Sequence, residues 1–143
     1  MPDELPAEWS ARYFAPGEMV CACCGIQRMS PGFMRRLDKL RERFGAPLVV
    51  NSGYRCPAYN HEVSTTGGQG PHTTGRAVDL AVQGPAAFQV LSLALLLGFT
   101  GIGLRQAGLP RKRFIHLDDL LLPSHLRPRV WTYAPEPGDP TVG

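Results

Sequence analysis

The chain has 143 residues, 43% of them hydrophobic and 19% charged, and a formal net charge of +3. That length suits one domain with one core, and the composition is that of an ordinary globular protein. The mild basic excess lies in residues 35–43, 105–113 and 127–129 without a dense aromatic-basic stripe, which argues against nucleic acid as a partner, and the longest apolar run, residues 91–99, is too short to span a bilayer.

The first stretch, MPDELPAEWSARYF, is acidic and lacks the basic-then-apolar layout of a signal peptide. It predicts synthesis in the cytoplasm, with any action outside needing another route of release. Residues 1–25 read as an irregular arm anchored by Trp9, Tyr13 and Phe14. Four cysteines occur: Cys21, Cys23, Cys24 and Cys56. The run Cys21-Ala22-Cys23-Cys24 lacks the paired C-x-x-C spacing of ordinary zinc modules, so free thiols are the simplest reading. A second structural metal site closed by Cys56, or a disulfide, are the other two.

Ser30 followed by Pro31 makes a helix start, and Phe33, Met34, Leu37, Leu40 and Phe44 recur at helical spacing. Gly45 ends that helix and Pro47 prevents its continuation. Residues 48–52 form a short buried strand, and residues 54–71 read as loop, rich in Gly, Ser and Thr. Residues 76–82 form a second strand whose alternation puts Ala77, Asp79 and Ala81 on one face and Arg76, Val78, Leu80 and Val82 on the other. A second helix runs from Pro85 to about Leu97, and further strands cover residues 99–104 and 113–118. Trp131 and Tyr133 are expected to cover the core, and the proline-rich tail, residues 134–143, to be flexible.

Two segments carry residues suited to chemistry. In His72-Thr73-Thr74-Gly75-Arg76-Ala77-Val78-Asp79, a carboxylate stands in an otherwise apolar strand, where it is costly unless paired, hydrogen-bonded or metal-bound. The alanines beside Asp79 leave room, and Gly75 permits a turn that returns His72 over the strand. In Phe114-Ile115-His116-Leu117-Asp118, the first, third and fifth residues share a face. Two imidazoles and one carboxylate on zinc leave a net charge of about +1 and an open position. Spacing alone does not establish that His72, Asp79 and His116 converge. His116 could equally be a satisfied core histidine, and Asp79 could pair with Arg76 or Arg55.

Ser52-Gly53-Tyr54-Arg55, then His72-x-x-Gly75-x-Ala77-x-Asp79, then Gly101-Ile102-Gly103 and a late His116 resemble the zinc D-alanyl-D-alanine carboxypeptidase family. That family also holds L-alanyl-D-glutamate endopeptidases of phage lysins and vancomycin-resistance dipeptidases. The resemblance spans about residues 14–131. It implies that His72, Asp79 and His116 hold one zinc ion and that Arg55 binds the substrate carbonyl or its developing oxyanion; bracing the loop through an ion pair is the alternative role for Arg55.

Two positions depart from the family pattern. Gly70 stands where a serine is usual, and Arg113 where many relatives carry an acidic general base three residues before the last histidine. Arginine cannot accept a proton at neutral pH. Asp118 is the nearest substitute, with base, partner orienting an imidazole and purely structural residue as its three possible roles, and Glu62 and Asp119 are weaker candidates. His61 and His125 read as surface or structural.

The expectation is one α+β domain over residues 1–143, with a core at about 14–133 and a small, mostly antiparallel sheet flanked by helices. It holds one zinc, acts as a monomer, and hydrolyses peptide bonds of bacterial peptidoglycan at the cell wall, reached by a phage or prophage route. The alternative is a non-catalytic zinc domain that binds cell wall or a protein partner, as the related hedgehog signalling domains act as ligands.

Overall fold

A computed structural model describes Trp9 and residues 11–134; the expected flexibility of the tail concerns residues that, Ala134 apart, lie outside these. In chain order the elements are α1 (Pro31–Phe44), β1 (Val50–Ser52), α2 (Pro57–Val63), β2 (Ala77–Leu80), α3 (Gly84–Leu96), β3 (Gly101–Arg105), β4 (Phe114–Asp118) and β5 (Arg129–Thr132), joined by loops and short 3-10 turns.

The helix signals act as expected. The Ser30 hydroxyl accepts from the Phe33 amide at 3.3 Å, a cap that typically contributes about 1 kcal/mol. Gly45 closes α1 in the left-handed conformation, φ 80°, and donates its N–H to Arg41.

Two elements went unread in the sequence. The segment expected to be loop at 54–71 contains α2, which starts at Pro57 and buries only Asn60; a seven-residue helix with no apolar stripe leaves no periodic trace. β5 is the other. It pairs with β3 in parallel at the sheet edge, and because its residues are largely exposed it shows no in–out alternation of hydrophobicity.

The sheet order is β1-β2-β4-β3-β5, antiparallel at every pairing except β3 with β5. Val78, Leu80, Ile102, Ile115 and Leu117 from one sheet face cluster with Phe33, Leu37 and Leu40 of α1 and Val90 and Ala94 of α3. All are buried to within 1% exposure, and each large side chain so placed contributes roughly 1.5–3 kcal/mol. Because side chains alternate, burying those residues against the helices turns Ala77, Asp79, His116 and Asp118 to the opposite face. Register then aligns one residue from every strand across that face: Ser52 with Asp79, Asp79 with His116, His116 with Gly103, and Gly103 with Trp131. No helix among the described residues is long and apolar enough to cross a membrane.

Candidate metal centre

His72, Asp79 and His116 meet on the face of the sheet opposite α1 and α3. Asp79 and His116 are directly paired across β2 and β4. His72 arrives from a 3-10 turn, Pro71–Thr74, that ends on Gly75 at φ 75°. A side chain at Gly75 would be strained at that φ and its Cβ would lie 2.0 Å from the Arg28 carbonyl oxygen, so the return of His72 over the strand depends on glycine. All three residues are buried, and their donor atoms lie within 4.8 Å of one another.

Hydrogen bonding sets the tautomers. Nδ1 of His72 lies 2.8 Å from the Gly53 carbonyl, an acceptor only, so that nitrogen donates. Nε2 of His116 lies 2.8 Å from Oδ2 of Asp118 and donates to it. In neutral rings, Nε2 of His72 and Nδ1 of His116 are then bare lone pairs, 3.2 and 3.1 Å from Oδ1 of Asp79. Three acceptors face one another across a buried space, an arrangement that only added positive charge stabilises.

Protons on these nitrogens can supply that charge in place of a metal, and the electrostatics describe that protonated state. Burial opposes ionisation of Asp79, but the charge of His72 and hydrogen bonds from His116 and His72 prevail and hold its carboxyl well below the usual range. Burial would depress His116, yet its bonds to Asp118 and Asp79 outweigh burial and raise it. The donor set, two imidazole nitrogens and a carboxylate oxygen with outer nitrogens anchored, fits zinc with a position left open.

Arg55 follows β1 and reaches the same face. Its Nε donates to the Ser52 hydroxyl at 3.0 Å, one terminal nitrogen to Oδ1 of Asn60 at 3.1 Å, and the other to Oδ2 of Asp79 at 3.4 Å. It therefore both braces its loop and sits at the centre, using three of a guanidinium's five donors. Arg76, the other possible partner of Asp79, instead grips Asp119 with two bonds of 2.8 Å.

Asp118 stands behind His116, fully buried. Besides His116 it accepts from Arg127 through Nε at 2.9 Å and a terminal nitrogen at 2.8 Å. Burial again opposes its charge, and Arg127 and His116 overcome that and hold its carboxyl low. Asp119 is committed to Arg76, and Glu62 is exposed on α2. His61 is exposed, and His125 lies 3.3 Å from the Gln69 carbonyl.

Both departures from the family pattern have structural explanations. A Cβ at Gly70 would fall 2.0 Å from the Thr66 hydroxyl oxygen, so Thr66 fills the place of a serine side chain. Thr66 accepts from Asn60, the residue that also holds Arg55. Arg113 is bonded twice to the Gly108 carbonyl, at 3.1 and 2.8 Å, and lines a groove with Phe88 and Leu91 on the α3 side of the sheet. It faces away from the centre.

The expectation that Trp131 and Tyr133 cover the core is corrected. The Trp131 ring lies 5.1 Å from that of His116, on the site face, and Arg127 and Arg129 stack over it. A Cβ at Gly103 would meet Trp131 Nε1 at 2.6 Å and the Tyr133 hydroxyl at 2.7 Å, so the glycine makes room for both. Sequence reasoning also missed Arg127. The spacing Trp131-x-Tyr133 was a signal that both could share a strand face; for Arg127 there was none.

Residues 12–118 match the family described as Peptidase M15, whose members are in general zinc-dependent. Over 99 residues the chain is 29% identical to the peptidoglycan L,D-endopeptidase MepK of Escherichia coli strain K12. The proteins of that name from Escherichia coli O157:H7 and Shigella flexneri match equally. The match takes in 65% of this chain and 52% of each of these proteins, so the chain spans about half the length of the curated relatives it matches. The match to the family runs from the arm before α1 through both ligand-bearing strands, and the chain belongs to the peptidase M15 family.

Proposed function

We propose that this chain is a zinc-dependent peptidase that hydrolyses peptide bonds in the stem peptides of bacterial peptidoglycan, with one zinc ion held by His72, Asp79 and His116. The observation that carries the metal is the convergence of two bare imidazole nitrogens on one carboxylate oxygen, at 3.2 and 3.1 Å, with both outer nitrogens already donating. The substrate class rests on the family and on the relatives named for peptidoglycan endopeptidase activity.

A zinc ion held by His72, Asp79 and His116 would supply Lewis acidity toward a carbonyl and toward water. The chain's own residues do the rest. Arg55, held in plane by Ser52 and Asn60, offers its remaining donors to the scissile carbonyl oxygen as negative charge develops there. Asp118, locked by Arg127, fixes the tautomer and orientation of His116 and does not itself carry the proton. The Tyr133 hydroxyl, placed over Gly103 beside Trp131, would offer a hydrogen bond to substrate at the edge of the centre. Arg113, which stands where many relatives carry an acid, is bonded to the Gly108 carbonyl and faces away from the centre.

The test is digestion of purified peptidoglycan, with mass spectrometry of soluble products. Stem-peptide fragments should appear, vanish with a chelator and return with zinc. A chain that retains about one zinc at this centre yet releases nothing from any wall preparation would overturn the assignment.

A further inference from the structure

We propose that Cys21, Cys23, Cys24 and Cys56 form a second, structural zinc site that fastens the arm before α1 to the loop presenting Arg55. Cys21, Cys23 and Cys24 stand together on the arm, Cys56 follows 33 positions after Cys23, and nothing in the peptidase chemistry uses any of them. The fold nevertheless gathers all four sulfurs within 4.8 Å of one another. Sγ of Cys23 lies 3.5 Å from that of Cys21 and 3.3 Å from that of Cys56, and all four are unbonded thiols. Four sulfurs each roughly 2.3 Å from one tetrahedral zinc stand roughly 3.8 Å apart, close to what is observed.

The local backbone is shaped for this. Cys21 donates its N–H to the Ile26 carbonyl at 2.7 Å and accepts from Gly25 at 2.8 Å, and Gly25 sits at φ 71°. That tight turn points Cys21, Cys23 and Cys24 at one place. Cys56 enters from the N-terminus of α2, and its N–H reaches the Cys21 sulfur at 3.4 Å. Thiols are weak donors and weak acceptors, so four of them pooled at a surface gain little from one another; four thiolates around a soft divalent ion gain a great deal.

The site has a structural consequence. Cys56 follows Arg55 directly, and α2, which begins there, carries the Asn60 that holds the Arg55 guanidinium. The arm meets the same loop through Met19, whose carbonyl accepts from the Tyr54 N–H at 3.0 Å and whose side chain packs where a Cβ at Gly53 would fall. Metal on the four cysteines would tie these contacts into one unit and set where Arg55 stands.

Metal analysis and cobalt substitution separate this site from the peptidase centre, which has no sulfur ligand. Wild-type protein purified under reducing conditions should carry about two zinc ions per chain, and Cys23→Ser with Cys56→Ser about one. Cobalt-loaded protein should show sulfur-to-cobalt charge-transfer absorption. That band should persist in His72→Ala with His116→Ala and vanish in the cysteine double variant. Should the cysteine variant fail to fold, wild type alone decides: its thiols should resist an aromatic disulfide reagent until a chelator is added, and zinc should be released as they react. Absence of the sulfur-to-cobalt band with freely reactive thiols, or an intact mass showing a disulfide among these cysteines, would overturn the proposal. Failure of the peptidase reading would leave the band in place.

Discussion

Nε2 of His116 and Oδ2 of Asp118 lie 2.8 Å apart, two residues along one strand, with Arg127 closing on the carboxylate from the other side. A single strand thus carries both a candidate ligand and the group that aims it. Two-residue alternation puts them on one face, and the extended backbone sets their separation.

Asp118→Asn should test that relationship. Asparagine can still accept from His116, but it leaves buried Arg127 without its counter-charge, at a cost of about 3–5 kcal/mol. Zinc affinity should fall roughly 10–100-fold, thermal stability should drop, and added zinc should restore most activity. Unchanged zinc affinity with activity down roughly 10²–10⁴-fold would instead make Asp118 the general base.

Arg55→Lys should lower turnover by roughly 10²-fold with zinc content intact, because an ammonium cannot reproduce the guanidinium fork. Kinetics on a defined stem peptide, paired with metal analysis, reads both quantities. Turnover close to wild type would confine Arg55 to bracing Ser52 and Asn60.

Tyr133→Phe removes the hydroxyl at the edge of the centre. Burial, followed by the negative charge of Asp79, pushes that phenol up to about 12. Raised so far, it remains a neutral donor throughout the neutral and mildly alkaline range, since a phenol ionises only as pH approaches its own pKa. Turnover should fall about 10-fold, equivalent to about 1.4 kcal/mol, with the alkaline limb of the pH profile unmoved. A displaced alkaline limb would show that Tyr133 titrates during turnover.

Gly101→Ala should damage the centre without touching a ligand. Its Cβ would fall 2.2 Å from Oδ1 of Asp118, a group tied on three sides by His116, Arg127 and the Leu120 amide. Destabilisation of about 1–3 kcal/mol and weakened zinc binding are expected. Gly17→Ala, where a Cβ meets open space, should stay within about 0.5 kcal/mol of wild type. Equal melting temperatures for the two variants would contradict the crowding at Gly101.

Local rules single out some residues of the centre, whereas the grouping of His72, Asp79 and His116 with Arg55 rested on the resemblance to a known family. A carboxylate amid apolar strand residues marks Asp79, and alternation pairs His116 with Asp118. Ser30 and Gly45 bound α1 by short-range hydrogen bonding. What only the tertiary structure decided is everything set by register and chain return. The alignment of Ser52, Asp79, His116, Gly103 and Trp131 depends on strand pairings whose partners are up to 37 positions apart along the chain, with a register irregularity in β1. Arg127 reaches Asp118, and Trp131 reaches His116, only because β5 adds in parallel beside β3. The same holds for Cys56, which joins the cysteines of the arm through the packing of Met19 against Gly53. Propensity and periodicity act over a few residues, whereas register is selected by which face of the whole sheet the helices bury, and that choice leaves no mark at any one position.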